Sequence, residues 1–149
     1  MSKLDPEIAA KVQASFAAQG MMATLGAKIT EVTAGSCTIE APIRPETGQQ
    51  QGFAHAGLTF SIGDSAAGYA ALTLMPKAAE VVTAEMKINL LAPATGDRLV
   101  AVGRVIRPGR RLVVVQSDVY ALGETRRHVA LLTGTMVPVL AQPGAPASV

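Results

Sequence analysis

The sequence contains one cysteine, no tryptophan and only 3% aromatic residues. A lone Cys37 excludes an internal disulfide and cannot assemble a cysteine-based zinc site by itself, so in its strand-like run it reads as a small core residue. With rings this scarce, a chain that is 49% hydrophobic must build its core from Val, Leu, Ile, Met and Ala, which suits close packing of helix on sheet. A dominant charge is missing as well. The 13 basic residues stand against 11 acidic ones, too even a balance for a generic nucleic-acid or membrane-surface binder. The opening residues MSKLDPEIAAK lack the apolar run and cleavage site of a secretory signal, which predicts a cytoplasmic location. The most apolar stretch, residues 56–75, is about as long as a membrane span. Thr59, Ser61, Asp64 and Ser65 inside it predict burial in protein instead.

What is present is a regular alternation of signals for one domain of ordinary size. Asp5 as N-cap, Pro6 at the first helical position and Ile8, Val12 and Phe16 at four-residue steps predict a helix over 5–19, stopped by Gly20. Residues 1–19 are thus expected to be an N-terminal helical segment, 20–140 the main domain, and 141–149, which lack periodicity, a disordered tail. The runs 27–33 and 36–43 flank Ala34-Gly35 as a hairpin. A polar loop, 44–54, leads to His55 and a helix over 56–74, ended by Pro76. Strands follow at 80–91, 98–107, 111–122 and 128–140. In the first of them Val82, Ala84, Met86, Ile88 and Leu90 are expected on one face and Thr83, Glu85, Lys87 and Asn89 on the other. The order predicts an α+β fold in which a curved antiparallel sheet wraps a long, nearly all-apolar helix. Its exposed sheet edges predict a homo-oligomer, dimer or tetramer.

Inside that helix Asp64 needs a reason, because a buried carboxylate loses hydration that a partner, a proton or a catalytic task must offset. Gly57 and Asp64 are seven residues apart and lie within about 20° of one helix face. The N–H groups of Ala56 and Gly57 open the helix, where unpaired donors and the helix dipole can hold a developing oxyanion. Asp64 stands about 10 Å further along, too far to serve an oxyanion at its own helix start. A combined site therefore needs Asp64 of a neighbouring subunit. The plainer reading is a structural carboxylate paired with Arg or hydroxyls, with His55 an ordinary loop histidine bonded to backbone.

The run Gly52-Phe53-Ala54-His55-Ala56-Gly57, followed by Gly63-Asp64-Ser65-Ala66-Ala67-Gly68, resembles the signature of PaaI-type hotdog-fold acyl-CoA thioesterases. The resemblance extends over roughly residues 20–140. It implies a hotdog fold paired into dimers or tetramers, with Asp64 as catalytic carboxylate, either general base or nucleophile. It further implies that Ala56 N–H, or Gly57 N–H, polarises the thioester carbonyl, that His55 orients the loop, and that Thr83 helps hold the attacking water. Two departures stand out. Ala56 occupies a position that is commonly Gly, which preserves the N–H provided φ is negative. Gln49 replaces a common Asn; Gln50 and Gln51 are neighbouring candidates for its role.

Coenzyme A carries several phosphate charges, as part of the substrate and not as a cofactor. Arg104, Arg107, Arg110 and Arg111 gather at one hairpin turn and Arg126 and Arg127 at another, read either as solvated hairpin ends or as phosphate contacts. The resemblance favours Arg110 or Arg111 for phosphate. Phe60 is a candidate substrate contact, and it, Met75, Met86 and Leu90 fit core and acyl pocket equally. A serine hydrolase fits poorly, since Gly63 to Gly68 misses the G-x-S-x-G spacing. The implied reaction is hydrolysis of an aryl- or medium-chain acyl-CoA. Alternatives are an enoyl-CoA hydratase or dehydratase of the same fold, or a non-catalytic acyl-CoA-binding protein. No metal site, nucleic-acid partner or membrane partner is expected.

Overall fold

The computed structural model describes residues 3–140; the expected disordered tail, 141–149, lies outside the described residues. Helix α1 spans Pro6–Ala17, and the Asp5 carboxylate accepts from the Glu7 N–H at 2.9 Å as its N-cap. Gly20 does not only follow a stop: it opens a second, short helix, α2 (Gly20–Leu25), which ends on Gly26 in the left-handed region at φ 67°. Strands β1 (Lys28–Thr33) and β2 (Ser36–Pro42) form the expected hairpin, with Gly35 at φ 82° making its turn. Helix α3 (Ala56–Leu72) ends two residues earlier than its apolar run suggests. Thr73 explains this, since its hydroxyl donates to the Ala70 carbonyl at 2.6 Å and accepts from the Gly35 N–H at 2.7 Å, tying the helix end to the hairpin. Strands β3 (Ala79–Leu90), β4 (Arg98–Arg107), β5 (Val113–Leu122) and β6 (Arg126–Leu140) complete one antiparallel sheet in the order β1-β2-β4-β5-β6-β3.

The sheet curves over α3, whose small residues let it settle close. Ile62, Ala66, Ala67, Ala70 and Ala71 are fully buried against it. Contact is tightest at Gly103 on β4, where a Cβ would stand 2.3 Å from the backbone of Ala66. Glycine is there because helix and sheet backbones touch. The opposite stripe of α3, from Gly57 through Phe60 and Ser61 to Asp64, is left exposed or half-buried. One chain therefore covers only one side of the front half of its central helix.

Strand β3 departs from the expected alternation. Thr83 pairs with Met136 and Glu85 with Thr135, so Ala84 is an extra, bulged residue. The bulge exchanges the faces along the strand. Val81, Met86 and Ile88 pack on the core, whereas Val82 and Leu90 are 49% and 59% exposed. Thr83 is thereby turned towards α3 instead of lying on the face opposite Met86.

Candidate active site

The loop before α3 is built to present the helix start. A one-turn 3-10 helix over Pro45–Thr47 is followed by a tight turn in which the Gln49 N–H donates to the Phe53 carbonyl at 2.8 Å. The Gln49 side-chain oxygen accepts from the N–H groups of Gln51 and Phe53 and is thus committed to holding the turn. The Ala54 N–H donates to Ala94 and the His55 N–H to Thr47, both at 2.9 Å. So anchored, His55 is the N-cap of α3, and its Nδ1 accepts from the Gly57 N–H at 2.8 Å. An accepting Nδ1 requires the neutral ring with its proton on Nε2.

This cap separates the two candidate donors. The Gly57 N–H is occupied by His55, and a Cβ at Gly57 would sit 2.9 Å from that Nδ1, which is why the residue is glycine. The Ala56 N–H has no hydrogen-bond partner among the described residues, and Ala56 has negative φ, so the change from Gly to Ala leaves the donor in place. Ala56 lines a cavity of about 460 Å³ together with Gln49, Gln50, His55, Thr59 and Leu90.

Asp64 lies eight residues further on, about 12 Å along the helix axis. The Thr83 hydroxyl, turned inward by the bulge, donates to its Oδ1 at 2.8 Å. Burial pushes the Asp64 carboxyl above its ordinary range, and the Thr83 hydrogen bond partly opposes that rise. No basic side chain pairs with Asp64 among the described residues, so its only protein support is a hydroxyl. It lines a second, smaller cavity of about 180 Å³ together with Thr83, Ser15, Gln19 and Tyr69. The two cavities share no residue.

The remaining candidates are dispersed. Phe60 lies on the uncovered stripe of α3, 36% exposed, and lines neither cavity. Arg110 borders a recess with Leu74, Met75 and Pro76 at the far end of α3, and Arg111 sits in the adjoining turn. Neither arginine approaches Ala56 or Asp64 within one chain. Arg104 and His128 are engaged elsewhere, bonding the Asp118 carboxylate at 2.6 and 2.9 Å. Sequence reasoning missed the group of Ser15, Gln19 and Tyr69 beside Asp64; the four-residue spacing of Ser15 and Gln19 was its only trace. Among the described residues no cluster of three or more His, Cys, Asp or Glu could hold a metal ion, and no helix is long and apolar enough to cross a membrane.

Residues 51–127, more than half of the chain, match the family model described as the thioesterase superfamily. The chain belongs to the thioesterase superfamily. A crystal structure of a thioesterase family protein from Silicibacter pomeroyi is 41% identical and superposes with a TM-score of 0.88 over 90% of this chain and 99% of that one. The PaaI protein from the phenylacetic acid degradation operon of E. coli superposes with a TM-score of 0.81 over 91% and 96% of the two chains; at 21% identity this likeness is one of fold. A candidate esterase of Saccharolobus solfataricus is 34% identical over 94 residues, covering 63% of this chain and just under two thirds, 66%, of the relative. The hotdog thioesterase fold implied by the loop-to-helix motif is therefore correct, and membership makes the chain a thioester hydrolase by class.

Proposed function

We propose that this thioester hydrolase is an acyl-CoA thioesterase acting on an aryl- or medium-chain acyl-CoA, and that each of its sites is shared by two subunits. The observation that carries the reading is the division of the chemistry. A free N–H donor opens one cavity, a half-buried carboxylate lines another, and about 12 Å of helix separates them. A two-fold pairing of the uncovered α3 stripes in antiparallel fashion brings the two halves together twice. An axis that sets Ala56 against Asp64 of the partner subunit passes Phe60, midway between positions 56 and 64. On this reading Phe60 packs at the axis and not on the acyl group. The same pairing carries the far end of α3, where Arg110 and Arg111 sit, towards the other subunit's Ala56 end, which keeps both as candidate phosphate contacts.

The reaction follows from the groups so combined. The thioester carbonyl oxygen accepts from the Ala56 N–H, whose hydrogen bond strengthens as that oxygen becomes an oxyanion. Asp64 of the partner subunit removes a proton from water as the water attacks the carbonyl carbon. The tetrahedral intermediate then collapses, the C–S bond breaks, and the CoA thiolate takes up the proton. Thr83 can donate to Asp64 while accepting from that water. Desolvation makes the carboxylate more basic and therefore a better base. Direct attack by Asp64 through an anhydride uses the same geometry; label found in Asp64 after a single turnover in oxygen-18 water identifies direct attack, because general-base hydrolysis places label only in the acid product. His128 is held by Asp118, so the hydratase alternative gains no second histidine from it.

Mixing two inactive variants tests the shared site. Asp64→Asn and Ala56→Pro chains, unfolded and refolded together in equal amounts, form mixed dimers in which one site has both defects and the other neither. Activity should return to about a quarter of wild type, because half of the dimers are mixed and each has one intact site of two. Mixed dimers shown to form without any recovery would contradict the sharing.

A further inference from the structure

The far end of the molecule carries chemistry that the site at Ala56 and Asp64 does not use. Strands β4 and β5 are joined there by the turn Pro108-Gly109-Arg110-Arg111-Leu112. The turn is tight, since a Cβ at Gly109 would stand 2.2 Å from the Leu112 carbonyl oxygen. Of the eleven large hydrophobic side chains exposed among the described residues, six gather at this end: Ile106, Leu112 and Val114 on the hairpin, Val139 and Leu140 at the end of β6, and Leu74 after α3. A recess of about 510 Å³, whose lining includes Leu74, Pro108, Arg110 and Pro138, joins the three elements. Single exposed apolar residues are ordinary, whereas a contiguous patch marks an interaction surface.

The charge on the hairpin is of one sign. No acidic residue falls between Asp97 and Asp118, and none of Arg107, Arg110 and Arg111 forms an ion pair among the described residues. Asp5 and Glu7, which α1 brings to the end of α3, are matched by Lys77 at 3.0 and 2.8 Å. The even charge balance of the whole chain, which argues against a membrane partner, conceals this segregation. We propose that the hairpin tip, with Leu74 and the end of β6, docks reversibly on the surface of an anionic lipid bilayer. Ile106 and Leu112 enter the boundary between headgroups and acyl chains, and the arginines bond lipid phosphates, which a planar guanidinium fits in bidentate fashion. Binding of CoA phosphate accounts for Arg110 and Arg111 but not for the apolar residues around them. A second copy covers the patch less well, because a two-fold contact at the tip sets its arginines against the same arginines with no acid between them.

The test is co-sedimentation of the full chain with sucrose-loaded vesicles of phosphatidylcholine alone, or of phosphatidylcholine and phosphatidylglycerol in equal parts, at low and high salt. Wild type should pellet with the anionic vesicles and not the neutral ones, and less so at high salt, because the attraction to headgroups is screened. Arg107→Glu should weaken binding at least about fivefold. Leu112→Ser, and separately Ile106→Ser, should weaken it about tenfold by removing a side chain that enters the acyl boundary. All three positions are exposed, so Tm and the size-exclusion profile should match wild type. Wild type that stays in the supernatant with anionic vesicles overturns the proposal. Binding that both serine variants leave intact also overturns it, and its abolition by free CoA or inorganic phosphate would then mark the tip as a phosphate site. A smaller oligomer for these variants in the absence of lipid overturns it too, since the tip would then be a contact between copies. Vesicle binding requires no turnover, so its failure and the failure of the thioesterase reading are separate results.

Discussion

Replacing Ala56 by proline removes one hydrogen-bond donor and, by the geometry of the site, little else. Ala56 is the first residue of α3, a position where proline's fixed φ is already helical and its missing N–H breaks no helix bond. The residue before a proline must be extended, and His55 already has φ −64° and ψ 141°. The Ala56 N–H has no protein partner among the described residues, so the folded chain loses no hydrogen bond. The His55 cap on Gly57 is kept. Thermal stability and oligomeric state should therefore match wild type, whereas kcat should fall about 10²- to 10³-fold, the cost of deleting one oxyanion donor, equivalent to about 2.7–4 kcal/mol. The assay is release of free thiol from acyl-CoA by purified protein, with thermal unfolding and size-exclusion chromatography as controls. A folded, correctly assembled Ala56→Pro protein with undiminished kcat refutes the oxyanion role of Ala56.

Other consequences follow from the same contacts. Gly103→Ala must move α3 from 2.3 Å to the 3.4 Å of ordinary contact, a shift of about 1.1 Å. Overpacking of this kind costs about 1–3 kcal/mol, or a fall of about 3–12 °C in Tm, and should lower kcat/KM by displacing the helix that carries both Ala56 and Asp64; an unchanged Tm would refute the close contact. Because burial raises the Asp64 carboxyl above its ordinary value of 3.8, kcat/KM should rise with pH through a midpoint above that value, and a profile flat down to the ordinary carboxylate range would contradict an ionised Asp64 as base. The folded state holds the Asp64 proton more tightly than the unfolded state, so ionisation costs stability as pH rises through the window between the two pKa values. Asp64→Asn should then unfold at higher temperature than wild type at neutral pH, with the advantage vanishing in acid, as thermal scans at several pH values will show. Cys37, buried and with its thiol pushed up to about 12, should ignore a thiol reagent in the native protein and react once per chain on unfolding.

The elements legible in the sequence were those with a strong local period or a punctuating residue. The Asp5-Pro6 start of α1, the Gly35 hairpin and the six strands lie within a few residues of where pattern placed them. Helix α2 was hidden because six residues offer too few turns for a periodic signal, and its opening glycine looks like a terminator. The Ala84 bulge was hidden because it arises from register between β3 and β6, and nothing local marks the residue that goes unpaired. That single slip decides whether Thr83 meets Asp64. The motif placed Ala56 and Gly57 correctly at the helix start, but the choice between their N–H groups depends on the His55 rotamer, which spacing cannot supply. Arg104 fits a phosphate contact by sequence alone, but the sheet sets Asp118 of the neighbouring strand against it. The Ser15, Gln19 and Tyr69 group exists only once α1 docks on α3.

The most direct test of the central claim is thiol release from a panel of aryl- and fatty-acyl-CoA esters by wild type and Asp64→Asn, matched for folding and oligomeric state. The only cysteine of the protein is buried, so the thiol signal belongs to CoA. The account predicts turnover by wild type and a loss of several orders of magnitude in kcat for Asp64→Asn, with acyl-CoA binding retained. Wild-type protein that binds acyl-CoA but releases no thiol, or an Asp64→Asn variant as active as wild type, would contradict it.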